Sequence, residues 1–416
     1  MKKLLLAFML VVGLTALAAC GGSEDEETEH AQGVTEDRIL VGNTAVNTGD
    51  LAFVGAPFLA GMQAYFNMIN ENGGVLGGRE IELIHYSDGF DGETGLTLTQ
   101  RLVEEDEVFA MVGHFGTPTV GATDEYLSLL GVPRVYYGTG TSLVFNDNAT
   151  TLGERASFPV QPVYELEGEL MVARAVDQFD AERIGLLYTA NENGNEIKAG
   201  MERLAAELGV EVVDVVVSTA DMEAEALSLV NQDVDVIVLG MNQWSAISGA
   251  VALATAGNTA PVMVSYVAAD TSYADLVHPV LGAFDIYANA WVDLLDESGE
   301  TSQGYLTYIE EISKTHPEYE NNSFAIAGWI AAMVFVEGLM LMDEDEAITW
   351  EAYVEAMESA PLSYDLGADL DFRNGLRTGT QILSLLKMGY DAELEATYFD
   401  IVAPMEHLDD IISRIE

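Results

Sequence analysis

The sequence predicts an α/β protein made of two doubly wound parallel-sheet lobes. Three observations support this prediction. Strands rich in valine, isoleucine and leucine alternate with helical segments, and such continuous apolar strands are typical of parallel sheets buried on both faces. The alternation occurs in two consecutive series, at about 38–137 and 164–266. The chain has 416 residues, a length that usually divides into two domains.

The first series begins after an acidic N-terminal stretch and ends about a third of the way along the chain. Helical segments are recognised by apolar residues at helical spacing and by turn signals such as Asn72-Gly73. In chain order we predict strand 38–42, helix 56–70, strand 80–86, helix 92–105, strand 108–112, helix 124–130 and strand 133–137.

The second series repeats the same pattern. We predict helix 164–179, strand 183–188, helix 195–208, strand 211–217, helix 224–231, strand 234–239, helix 246–256 and strand 262–266. A later segment, 324–342, is apolar enough to resemble a membrane span. It contains Glu337 and has no lysine or arginine beside it to act as a cytoplasmic anchor, so we predict a buried helix.

The N-terminus has the features of an export signal. Two lysines precede an apolar run over 4–19, which is shorter than the roughly 20 residues of a membrane span. Residues 17–20, Leu-Ala-Ala-Cys, resemble the lipobox of bacterial lipoproteins. The resemblance implies a signal peptide over 1–19, cleavage before Cys20 and acylation of its sulfur. An ordinary signal peptide with an incidental cysteine is the alternative.

Cys20 is the only cysteine, so the chain can form no internal disulfide. The polar, acidic stretch that follows it predicts a disordered tether over 20–36.

The charge balance excludes a nucleic-acid-binding protein. There are 16 basic and 69 acidic residues, giving a net charge of −53, whereas nucleic acids require a basic surface. We interpret the acidic excess as adaptation of an exposed surface to a saline or an alkaline habitat, and expect no metal site.

No motif indicates catalysis or a cofactor. There is no phosphate-binding Gly-x-x-x-x-Gly-Lys loop, no Gly-x-Ser-x-Gly elbow, and the six histidines are scattered. The loops that follow the strands instead hold glycine, threonine, serine, asparagine and aromatic residues. Because ligands of open parallel sheets bind beyond the carboxyl ends of the strands, these loops suit a small polar ligand on apolar walls. In the loop 113–119, Thr117 and Thr119 could receive a carboxylate or could simply cap a helix.

Several segments resemble the type I periplasmic binding proteins of the branched-chain amino acid transport group. The likeness is most specific in the first third of the chain and becomes looser in the second series. It involves segments 64–74, 77–84, 86–91, 102–109, 116–119, 131–133 and 138–140, then 187–194 and 234–240.

The resemblance implies a hinged protein that captures a solute for transport. It implies three crossovers, near 159–162, 286–289 and 363–371. The first lobe would then comprise 37–160 and 288–364, and the second 161–287 and 365–416. Members are not enzymes, and they deliver their ligand to an ABC transporter permease with its ATPase. We expect a monomer without a cofactor, held at the outer face of the membrane only by its lipid.

The resemblance also implies ligand-binding residues. In the first lobe, Thr117, Gly138, Gly140 and Thr141 match the loops that hold a ligand α-carboxylate and part of its ammonium. An aromatic residue of the family pattern aligns with Phe53 or Val54.

The second lobe departs from the family pattern at two positions. Asn193 stands where tyrosine or phenylalanine is common, and Tyr266 aligns with the acid that meets an α-ammonium. A buried ammonium without a carboxylate is costly, so either Asp270 replaces that acid or the ligand has no ammonium. The further second-lobe contacts predicted are Tyr188, Asn242 and Trp244, the last of which could equally be a core residue.

The expected ligand is therefore an amino acid or a related small carboxylate or amide. Two other functions remain open. The same fold could act as a ligand sensor in signalling, which predicts a stable homodimer. An exported hydrolase with an unrecognised site would turn over its substrate.

Overall fold

The computed structural model describes residues 30–218, 220–295 and 300–415. The predicted signal peptide, Cys20 and tether residues 20–29 lie outside these ranges. The last part of the predicted tether, 30–36, packs on the folded protein instead. The Ala31 amide donates to the Ile348 carbonyl at 2.8 Å, and the Gln32 side chain donates to the carbonyls of Val103 and Val108 at 3.0 Å each.

The first lobe contains a five-stranded parallel sheet with strand order β2-β1-β3-β4-β5. The central strands are buried between helices, as the first series predicts, and the edge strand β2 is only partly buried. The elements are β1 Arg38–Thr44, α1 Ala52–Glu71, β2 Glu80–Tyr86, α2 Gly92–Glu104, β3 Ala110–Phe115, α3 Thr117–Leu130, β4 Arg134–Gly138, α4 Leu152–Arg155 and β5 Ser157–Phe158.

The second lobe contains a seven-stranded sheet with strand order β12-β11-β10-β9-β8-β6-β7. Strands β6 to β10 are parallel, and β11 and β12 are antiparallel. The elements are α5 Tyr164–Phe179, β6 Arg183–Tyr188, α6 Glu192–Leu208, β7 Glu211–Val216, α7 Glu223–Val230, β8 Val236–Gly240, α8 Gln243–Thr255, β9 Val262–Val264, α9 Thr271–Val277, β10 Ile286–Ala290, β11 Ile382–Asp391, β12 Ala396–His407 and α13 Leu408–Ile415.

Three helices return to the first lobe between β10 and β11: α10 Gln303–Ser313, α11 Ser323–Met340 and α12 Trp350–Met357. Helix α11 is long and apolar enough to cross a membrane by length and composition, yet 78% of it is buried inside the protein. The prediction of a buried helix over 324–342 is confirmed, with bounds within two residues. It is apolar on all sides because α1, the first sheet and α12 surround it.

Helices α1 and α11 pack with their backbones unusually close together. A methyl group added to Gly61 would lie 1.8 Å from the Ala325 carbonyl oxygen, and one added to Gly328 would lie 1.8 Å from that of Phe58. Only glycine allows this approach. The contact fixes the start of α11 against the middle of α1.

The sheet pairings place two crossovers later than the sequence suggests. Strand β10 pairs along its length in the second sheet, so the chain leaves the second lobe after Ala290 and not at 287. Arg377 still bridges to Asn146 of the first lobe, and β11 begins at Ile382, so the last crossover lies at about 378–381. The first crossover, between β5 and α5, lies at the predicted 159–162.

Helix α3 begins earlier than predicted, at Thr117 instead of 124. Gly116 has a φ of +96°, which turns the chain directly from β3 into the helix, and Pro118 occupies the first turn, where its missing N–H costs nothing. The threonines of this loop therefore belong to the first turn of a helix.

Candidate ligand-binding site

A cavity of about 550 Å³ lies between the two lobes, beside the crossovers. The first lobe contributes Phe58, Phe115 and Tyr136 and the start of α11. The second lobe contributes the loop after β9 and the inward faces of β11 and β12. Most of this lining is aromatic or aliphatic, so the cavity suits a ligand with an apolar body.

The side chains around the cavity carry negative charge and no positive charge. The lining includes the carboxylates of Asp270 and Asp293. Among the lining residues that the structure describes, there is no lysine, arginine or histidine. An anionic ligand would find no counter-charge there.

Tyr266 stands at one end of the cavity in a network of neutral hydrogen bonds. The Tyr136 hydroxyl donates to Gln161 Oε1 at 2.9 Å, Gln161 Nε2 donates to the Tyr266 hydroxyl at 3.1 Å, and that hydroxyl donates to the Pro162 carbonyl at 3.0 Å. Tyr164 stacks on Tyr266 with ring centroids 5.9 Å apart. The crossover and the loop after β9 are joined at this point.

The loop that carries Tyr266 is held from behind by a buried carboxyl group. Glu167 on α5 is fully buried and accepts hydrogen bonds from Ser265 Oγ at 2.7 Å and from the Tyr266 amide at 2.6 Å. Burial raises the pKa of Glu167 to about 7, although these hydrogen bonds oppose the rise. Glu167 positions Tyr266 and does not itself line the cavity.

Asp270, the proposed substitute for the ammonium-binding acid, lines the cavity but already has protein partners. It accepts the Ser272 amide at 2.8 Å, the Ser272 hydroxyl and, across the lobes, the Ser323 amide at 2.6 Å. In this conformation Asp270 joins the second lobe to the first turn of α11.

The first-lobe residues predicted to hold a carboxylate are also engaged. Thr117 Oγ1 lies 2.7 Å from Thr139 Oγ1. Thr141 Oγ1 donates to Glu196 Oε1 at 3.0 Å, and Glu196 comes from the second lobe. Gly138 lines the cavity. A methyl group on Gly140 would lie 2.3 Å from the Tyr266 hydroxyl, so glycine allows that ring to approach.

The remaining predicted residues do not line the cavity. Phe53 and Trp244 face each other across the lobes with ring centroids 6.0 Å apart, and both are exposed. Asn242 caps α8 by accepting the Ser245 amide at 3.0 Å. Tyr188 packs under the Lys198 ammonium. Asn193 is buried, and neither of its side-chain polar atoms has a partner.

Of the eleven predicted ligand positions, the structure brings Gly138, Tyr266 and Asp270 into the cavity wall. Sequence reasoning missed the stretch 290–295 and the residues of β11 and β12, including Ser384, Leu386 and Phe399. The alternating pattern of β12 offered a strand signal, but its place at the cavity depends on pairing with β11.

Two features of the described residues concern metal ions and buried histidine. These residues contain no group of three or more histidine, cysteine, aspartate or glutamate side chains placed to hold a metal ion. His114 is buried, and its two ring nitrogens lie 3.0 Å from Thr44 Oγ1 and 2.7 Å from Thr123 Oγ1. Burial lowers the pKa of His114 to about 3 and keeps the ring neutral.

Comparison with known proteins supports the two-lobed α/β fold. A family model described as periplasmic binding protein matches residues 38–389. An amino acid binding protein of Pseudomonas aeruginosa is 22% identical over 175 residues, which are 42% of this chain and 45% of that protein. The match thus spans less than half the length of this relative.

Solved structures align over nearly the whole chain. A fatty acid ABC transporter substrate-binding protein from Thermomonospora curvata has a TM-score of 0.77 at 21% identity, covering 91% of this chain and 95% of that one. A branched chain amino acid ABC transporter protein from Thermus thermophilus with bound valine has a TM-score of 0.76 at 15% identity, covering 90% and 97%. At these identities the likeness shows the fold.

Proposed function

The chain belongs to the periplasmic binding protein family, and from that premise we propose that it is the extracytoplasmic solute-binding protein of an ABC importer. It would capture a small molecule between its lobes and deliver it to a permease with its ATPase. The export signal and Cys20 support a lipid anchor at the outer face of the membrane.

The observation that carries this proposal is the interlobe cavity. Its volume of about 550 Å³ falls within the range of about 300–1,000 Å³ typical of small-molecule sites. It lies where hinge motion of the two lobes would open it. Its walls come from both lobes, so a bound solute would add contacts that only the closed form makes.

We propose that the solute is an amino acid, or a related small carboxylate or amide, with an apolar body. The aromatic and aliphatic walls support the apolar body. Solved relatives described as binding fatty acid and valine have the same fold. The chain is not expected to turn its ligand over.

The test is a thermal-shift screen on the soluble form that starts at Gly21. The panel contains aliphatic amino acids and, at matched chain lengths, straight-chain carboxylates, primary amides and alcohols. A ligand at a hundred times its dissociation constant should raise the free energy of unfolding by about 2.7 kcal/mol. No stabilisation by any member would refute the proposed ligand class.

A pair of variants locates the binding site. Ala327 lies on α11 in the cavity wall, and Ala327→Phe should reduce the affinity for any hit by filling the cavity. Ala199 lies exposed on α6, so Ala199→Phe should leave binding unchanged. Equal affinity of both variants would place the ligand elsewhere.

A further inference from the structure

A carboxylate of the second lobe occupies a set of hydrogen-bond donors on the first lobe. Glu196, on α6, accepts from the Ser142 backbone amide at 2.9 Å, from Ser142 Oγ at 2.9 Å and from Thr141 Oγ1 at 3.0 Å. Three donors that converge on one carboxylate form charge-assisted hydrogen bonds, which are stronger than neutral ones.

These donors lie at the edge of the interlobe cavity. Gly140, the neighbour of Thr141, packs against the Tyr266 hydroxyl, and its carbonyl accepts the Tyr164 amide at 2.7 Å. Both tyrosines line the cavity. Gly140 thus links the Thr141 and Ser142 donors to two residues of the cavity wall.

Among the described lining residues, the cavity wall offers a carboxylate no counter-charge. Its charged side chains are the two aspartates, and the side-chain donors of Gln161, Thr271 and Ser384 already donate to protein acceptors. Burying a carboxylate without donors or counter-charge is costly. The Thr141 and Ser142 donors form a convergent set able to hold one, and Glu196 fills them.

We propose that Glu196 is a specificity-determining residue that excludes carboxylate-bearing solutes from the closed protein. It competes for the donors of Thr141 and Ser142 and repels a second anion there. This inference rests on the proposed function, and it narrows the ligand to an uncharged or cationic solute with an apolar body. A primary amide fits, and the corresponding free acid does not.

The donor set can be tested by chemical rescue, independently of the natural ligand. Removing the side chain in Glu196→Ala should weaken the contact between the lobes and leave a space that a small carboxylate can enter. Propionate should then raise the melting temperature of Glu196→Ala relative to propanamide at equal ionic strength. Wild type should show no such difference. Glu192→Ala removes the same charge from an exposed position on the same helix and should behave as wild type.

The specificity is tested with octanoate and octanamide by isothermal titration calorimetry. Glu196→Ala should bind octanoate roughly tenfold or more tightly than wild type does, since the loss of a charged competitor for three hydrogen bonds is worth at least that factor. The affinity for octanamide should change much less. Glu196→Gln keeps the shape of the side chain without its charge and should show a smaller gain for octanoate.

The outcomes separate this inference from the proposed function. The role of Glu196 would be overturned if propionate stabilised neither Glu196 variant. It would also be overturned if wild type and both variants bound octanoate with equal affinity. If wild type binds octanamide but the variants bind octanoate no more tightly than wild type does, the proposed function stands and the inference about Glu196 fails. Tight octanoate binding by wild type would also overturn the exclusion. Circular dichroism confirms that each variant is folded before it is compared.

Discussion

Replacing Glu167 by glutamine should remove a pH dependence of stability that the wild-type chain carries between about pH 4.5 and pH 7. Glu167 is fully buried, and burial raises its pKa from the ordinary 4.5 to about 7. The native state therefore binds this proton more tightly than the unfolded state does. The contribution of Glu167 to stability is full below pH 4.5 and is lost as the pH rises through 7.

The size of the effect follows from the two pKa values of Glu167. At about 1.4 kcal/mol per pH unit, the rise from 4.5 to about 7 corresponds to about 3 kcal/mol. Glutamine resembles the protonated side chain, because its oxygen can accept the Tyr266 amide and its nitrogen can donate to Ser265 Oγ. The variant should thus match wild type at pH 4.5 within a few tenths of a kcal/mol and exceed it by up to about 3 kcal/mol at pH 8.

Urea denaturation of both proteins at intervals from pH 4.5 to pH 8 measures this difference, provided that the m-value stays constant. The difference between the two proteins cancels the titration of the other carboxyl groups. Glu207, exposed on α6, provides the control, and Glu207→Gln should differ from wild type by a nearly constant amount. Parallel stability curves for wild type and Glu167→Gln would refute the reasoning.

Two further predictions concern packing and buried charge. Gly61→Ala should lower the free energy of unfolding by about 3 kcal/mol, because the new methyl group meets a backbone carbonyl of α11 and no side-chain movement can relieve the clash. Gly121→Ala, which has open space around it, should raise the free energy of unfolding by up to about 1 kcal/mol in the same urea assay. Arg377→Met should cost about 3 kcal/mol, because it removes a buried partner of Glu358, which keeps Arg155, and the donor to the carbonyls of Arg155 and Phe372. The exposed Arg373→Met should cost under about 1 kcal/mol, and equal losses in the two arginine variants would contradict the prediction.

The parallel parts of both sheets were predictable from the sequence. Strands such as β3 and β8 are buried along their whole length, and a strand covered on both faces must be apolar at every position. Helix α11 was predictable as a buried helix for the same reason. The apolar composition of these elements is therefore enough to indicate that they are buried.

The antiparallel edge of the second sheet was not predicted. Strand β11 pairs with β12 on one side and, on the other, with β10, which lies about a hundred residues earlier in the chain. That pairing shifts two of the crossovers and brings Leu386 and Phe399 to the cavity. Nothing in the local sequence specifies a partner at that separation.

The sequence by itself determined the α/β class, the two lobes and the loops beyond the carboxyl ends of the strands, because these follow from periodicity and topology. Which groups those loops present to a solute was decided by the tertiary structure. Thr141 has the chemistry to receive a carboxylate, but the packing of the lobes places Glu196 against it, and the same packing places Asp270 against the Ser323 amide. A hydrogen bond depends on the distance between two atoms, and residues 50 or more positions apart in the chain acquire that distance only when the lobes pack together.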